Sequence, residues 1–301
     1  MTKSKTILII ILVSFVSLGI FLGIIIAGVS LLNNSFGTTR GNIALIPIKG
    51  VITSESGSSI LSSPGASSTE IIQLIEKADN DPSVKAIILE INSPGGSAVA
   101  SDEIGQALKS TDKLKVAWIR EIGTSGAYWV ASACDKIVAN RMSITGSIGV
   151  IASYLEFSGL MHEHNVSYER LVAGKYKDVG TPFRKLTPQE KDMLQQQLDT
   201  IHEFFIQEVS INRGLDINTT RELATGFFYI GSDAKEKGLV DILGGKKEAV
   251  SYIENELNIK SKIVEYKKKE SFLNLFSGII AKIFSPKLDF PFDSNYKAQL
   301  I

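Results

Sequence analysis

Three short segments carry residues whose types and spacing could perform acyl transfer. In Ile91-Asn92-Ser93-Pro94-Gly95-Gly96-Ser97, the two glycines free the backbone to aim amide groups into a cavity. N–H groups at a helix start then form an anion hole suited to an oxyanion. The bland reading of this segment is a plain strand-to-helix turn. In Gly123-Thr124-Ser125-Gly126-Ala127-Tyr128-Trp129, a serine stands where a helix begins. Such a serine is ordinarily an N-cap. Gly126, however, leaves an unobstructed amide beside the hydroxyl, and the helix dipole favours negative charge there. Ser125 is therefore the candidate nucleophile.

A serine nucleophile needs a base, and histidine is the usual one. His162 and His164 lie in the polar run Met161-His-Glu-His-Asn165, whereas His202 falls inside a long helical pattern. A metal pair at His162 and His164 would want a third ligand, and none is evident. Lysine replaces histidine when burial removes its charge. Gly174-Lys175-Tyr176-Lys177-Asp178 follows an apolar run ending at Ala173, the kind of strand end where α/β sites lie. These residues alone do not separate Lys175 from Lys177. Cys134, the single cysteine, has no internal disulfide partner and reads as a small core residue rather than a reactive thiol.

The elements that must position these groups alternate. Strand patterns at 43–48, 51–53, 84–91, 115–119, 137–139, 149–151 and 168–173 are interleaved with helical patterns at 69–78, 98–109 and 125–133. That alternation predicts βαβ units and an α/β domain with a largely parallel sheet. Residues 56–68 are rich in Ser and Gly and read as a surface loop. Thr187-Pro188 opens a long amphipathic helix reaching about residue 211, with Thr187 as cap and Pro188 in the first turn. Near the C-terminus, Phe272, Phe276, Ile279 and Ile283 share one helical face after a lysine run, which suits either a packed helix or one lying on a membrane surface.

Lys plus Arg and Asp plus Glu both number 32, so no long-range field points toward nucleic acid. No ionisable side chain occurs between Lys5 and Arg40, and residues 7–32 are almost wholly apolar. As a helix, 26 residues would run roughly 39 Å, enough to cross a bilayer with some tilt. This exceeds the apolar region of a cleavable signal, so a retained anchor is expected. Lys3 and Lys5 place the N-terminus in the cytoplasm and the rest outside it. The expected organisation is a cytoplasmic segment 1–6, a transmembrane anchor 7–32, a linker 33–41, an extracytoplasmic catalytic domain 42–259 and a tail 260–301.

Taken in order, Asn92-Ser93-Pro94-Gly95-Gly96, Thr124-Ser125-Gly126-Ala127-Tyr128-Trp129, Asp135-Lys136-Ile137, Thr145-Gly146-Ser147-Ile148-Gly149-Val150 and Gly174-Lys175-Tyr176-Lys177-Asp178 resemble the short, single-unit form of bacterial signal peptide peptidase A. The resemblance spans about 42–243. It implies a Clp protease/crotonase-like fold, with Ser125 as nucleophile, Lys177 as general base and Ser147 as the hydroxyl that orients the lysine. Gly96 and Gly126 would supply the oxyanion amides, and no metal or nucleotide cofactor is implied. Its implied substrates are apolar peptides, the signal peptides left in the membrane after cleavage from preproteins. It also implies a homo-oligomeric ring, typically octameric, with serine and lysine of one site supplied by adjacent protomers. Ala127 stands where a second glycine is common. The competing readings are a crotonase-type acyl-CoA enzyme, sharing the paired-amide hole, and an inactive membrane scaffold.

Overall fold

The computed structural model describes residues 11–23, 26, 41–55 and 65–267. Helix α1 is described over residues 11–23 and 26, inside the expected anchor. Among the described residues no helix is long and apolar enough to cross a membrane, and the remainder of the 7–32 run lies outside them. The apolar face at Phe272 to Ile283 lies outside them as well.

Strand β1 (Ile43–Lys49) alternates between two cores: Ala44, Ile46 and Ile48 enter one buried cluster, Ile43 and Leu45 the other. Strand β4 (Ala86–Ser93) repeats the pattern, with Ile87, Leu89 and Ile91 on the first face and Ala86 and Ile88 on the second. A strand apolar on both faces must be covered on both. Helices α2 (Ser68–Asn80), α3 (Ala98–Lys109), α4 (Gly126–Ser132) and α6 (Pro188–Arg213) contribute to the first cluster, and α9 (Lys246–Leu257) to the second through Ala249 and Ile253.

The central strand is β5 (Leu114–Thr124), parallel to β4 and 11 residues long. Its first half pairs with β6 (Lys136–Ala139) and its second half with β7 (Ile144–Gly146), both in parallel. One long strand thereby serves two short ones, and its far end delivers the chain to Ser125. Strand β8 (Phe228–Ile230) is antiparallel to β7, and β9 (Ile242–Leu243) is parallel to β6. Helix α7 (Ile217–Leu223) precedes β8, and α8 (Gly231–Glu236) stands between β8 and β9. A separate two-stranded pair joins β2 (Ile52–Thr53), read as strand, to β3 (Ala66–Ser67), which lies in the segment read as loop.

Three sequence expectations change. Strand β10 (Ile263–Glu265) pairs in parallel with β1 at the sheet edge, so the sheet draws on the segment read as tail. Residues 149–151 and 168–173 are not strands. Among the described residues no sheet edge reaches them, and several of their side chains stand in solvent, with Ile151 88% and Leu171 96% exposed. From Gly149 to Gln189 no residue is buried, although a short helix α5 (Ser158–Glu163) falls within this arm. Helix α6 forms as expected, with Thr187 and Glu190 closing a reciprocal capping box that satisfies two otherwise orphaned N–H groups.

Candidate active site

Ser125 sits between β5 and α4 with φ 53° and ψ −128°, a backbone state costing on the order of 1–3 kcal/mol for a non-glycine residue. The surroundings hold it there. Its amide donates to the Gly146 carbonyl at 2.8 Å, while its own carbonyl accepts from Tyr128 N at 2.8 Å and Trp129 N at 3.0 Å. Its side chain makes no capping hydrogen bond. The hydroxyl is therefore left at the helix start for another use.

Two amides stand beside it. Gly126 opens α4, so its N–H has no intrahelical acceptor. The bridge between β2 and the loop after β4 uses the Gly95 carbonyl and the Ser97 amide, leaving the Gly96 N–H outside that bridge. A Cβ on Gly126 would lie 3.3 Å from Gly96 N and would run into Ser101 Oγ. A Cβ on Gly96 would run into the Ile52 carbonyl. Gly96 demands glycine because the β2 backbone converges on it, and Gly126 because the Ser101 hydroxyl of α3 does.

Ser147 follows Gly146, the residue whose carbonyl holds Ser125. It too has a positive φ, 50°. Its amide donates to Phe227 O at 3.1 Å and its Oγ to Gly226 O at 2.9 Å. A cavity of about 740 Å³ takes in Gly96, Ser125, Gly126, Ser147, Trp129 and His202. That volume is typical of a site enclosing a small ligand or a few residues of peptide. Trp129 stacks on Phe205, centroids 4.8 Å apart, in its wall.

Lys177 is not among the residues lining this cavity. It stands exposed on the turn 174–180, its amide donating to Gly174 O at 3.1 Å. Lys175 lies on the same turn with Nζ 4.7 Å from the Tyr176 ring centre. One chain thus brings together the serines and the amides but neither lysine. His202, to which the sequence assigned no role, lines the cavity from α6, Nε2 being 3.3 Å from Ile148 O. Periodicity marks a helix face but not which cavity that face walls. His162 and His164 are exposed at the end of α5. Cys134 is buried, and burial pushes its thiol pKa up, which makes it inert as a nucleophile.

The model of peptidase family S49 matches residues 107–260, more than half the chain. The chain belongs to peptidase family S49. It is a serine peptidase. Among its relatives is a protein of Methanocaldococcus jannaschii whose name marks it as an inferred protease, 38% identical over 66% of this chain and 65% of its own length. A protein of Enterococcus faecium, named as an inferred signal peptide peptidase SppA, is 31% identical over 77% of this chain and 68% of its own. The chloroplastic serine protease SPPA of Arabidopsis thaliana is 30% identical over 80% of this chain. This S49 peptidase spans about two thirds of the first two relatives and 37% of the plant protein. Family membership sets aside the acyl-CoA reading.

Proposed function

We propose that this S49 peptidase has the Clp protease/crotonase-like fold, is anchored in the cell membrane and degrades cleaved signal peptides with a Ser125/Lys177 dyad shared between neighbouring copies. One observation carries the dyad proposal: Ser125 is presented beside two amides in a cavity that no lysine lines among the described residues, while Lys177 stands on an arm without a buried residue. An arm exposing Ile151, Leu155 and Leu171 invites cover, and a second copy of the chain supplies it in a closed ring. The 26-residue apolar run supports the anchor, with the catalytic domain outside the cytoplasm.

In this mechanism the neutral Lys177 amine of one copy takes the proton from Ser125 Oγ of the next as Oγ attacks the scissile carbonyl carbon. The oxyanion is received by the N–H groups of Gly96 and Gly126. Ser147 orients the amine. The protonated lysine then gives its proton to the leaving amine, and a water deprotonated by the same lysine releases the acyl-enzyme.

A second reading rests on His202, among the described residues the one titratable side chain lining the cavity, as a base within the same chain. Hydrolysis of a fluorogenic peptide by Ser125→Ala, Lys177→Ala and His202→Ala separates the two. The shared dyad expects the first two to be inactive and the third active. An active Lys177→Ala together with an inactive His202→Ala would install the histidine instead.

A further inference from the structure

The loop that presents Lys177 has a charged mount. Asp178, the next residue, has a side chain only 8% exposed. Arg170 donates to it from Nε at 2.6 Å and Nη2 at 2.7 Å, and Arg184 from Nε at 2.8 Å and Nη2 at 3.1 Å. Arg184 also donates from Nη1 at 2.9 Å and Nη2 at 2.7 Å to Glu190. Glu190 is the buried third residue of α6 and accepts the Thr187 amide at 2.8 Å. Alternating charges therefore run without a break from Lys177's neighbour to the first turn of a 26-residue helix.

Forked guanidinium–carboxylate pairs fix direction as well as distance, which a single ammonium does not. The loop's backbone support is otherwise local: turn bonds from Lys177 N, Val179 N and Thr181 N to carbonyls three residues back. Helix α6 is itself keyed to the body of the chain by the Trp129–Phe205 stack. Lys177 can meet a neighbour's Ser125 reproducibly only if its loop is rigid relative to its own domain. The carboxylate beside it, its side chain covered and held by two guanidinium groups, provides that rigidity.

We infer that Asp178 and Arg184 are positioning residues for Lys177, holding the turn 174–180 so that the amine faces the adjoining copy's nucleophile. The inference rests on the lysine-base reading. The other charged groups around the turn are Arg170 on its approach and Lys175 within it, the latter drawn over Tyr176. Lys185 faces Glu156 across the arm.

The test uses the full chain in detergent, with a peptide substrate, and records kcat, KM, the pH–rate profile, the melting temperature and the assembly state. Asp178→Asn and Arg184→Ala are expected to lower kcat by about tenfold to a hundredfold, as small misplacements of a reacting group do. KM should stay within about twofold, and the ascending, acid-side limb of the profile, along which a general base must lose its proton, should move. Arg184→Lys should restore kcat only in part. Arg221→Ala, which removes the exposed pair with Glu203, should match the unaltered protein. Wild-type kcat and pH limb in Asp178→Asn and Arg184→Ala would overturn the inference. So would a loss of rate that merely follows lost folding or assembly, with an unmoved limb. Lys177→Ala distinguishes the two levels: if it is fully active the lysine reading itself fails, whereas an inactive Lys177→Ala beside an unaffected Asp178→Asn defeats the positioning role alone.

Discussion

At Ser125 the chain holds a side-chain-bearing residue at φ 53°, and nothing about the hydroxyl itself explains the strain. The explanation lies in what surrounds it: the amide is tied to Gly146 and the carbonyl opens α4. The strained state is thus dictated by the junction and keeps the hydroxyl out of a cap. Ser125→Ala should abolish peptide hydrolysis, because only Oγ is removed, while leaving the melting curve close to that of the unaltered protein. Gly96→Ala is expected to lower kcat by about a hundredfold or more, as loss of one oxyanion donor does, since its Cβ would displace the backbone at Ile52. Steady-state kinetics on the folded variant checks this. Further inside, Tyr128 is fully buried and its hydroxyl donates to Leu239 O at 2.8 Å. Tyr128→Phe should cost about 1–3 kcal/mol in a urea titration by leaving that carbonyl unpaired.

Among the elements, α6 joins the arm to the domain body through its first turn. Hydrogen bonds from Arg184, first, and from the Thr187 amide lower the Glu190 pKa from 4.5 to about 2. A depressed carboxylate contributes stability above its unfolded pKa and loses it as pH falls through the folded one. The contribution of Glu190 is therefore complete above about pH 4.5 and fades toward about pH 2. Melting temperature followed over that window should fall less steeply in Glu190→Gln than in the unaltered protein; equal slopes would count against the assignment. Thr187→Ala, which opens the capping box, should cost about 1 kcal/mol, read by denaturant titration.

For the whole molecule, the decisive expectation concerns mixing. If the dyad is shared as proposed, Ser125→Ala and Lys177→Ala chains, inactive separately, should regain part of the activity when assembled together, because mixed assemblies would contain sites with both groups intact. No recovery in demonstrably mixed assemblies would mean that the site closes within one chain. Much of this molecule was legible in the order of its residues. The alternation of apolar runs with helical periods predicted the parallel-rich α/β sheet, and the Gly-Gly and Ser-Gly junctions predicted where serine and amides would gather. These features are local: a strand's pleat, a helix's period and a glycine's missing Cβ act over a few residues and leave their mark in sequence. The segments 149–151 and 168–173 read as strands but are none, because β-forming residues become a strand only where another strand offers a hydrogen-bonding edge, and the described residues offer none there. His202 on the cavity wall and the Asp178–Arg184–Glu190 mount were invisible for the same reason. They join residues through space, and long-range packing rather than neighbouring residue type decides which side chains share a cavity, which carboxylate is buried and which lysine is left facing outward.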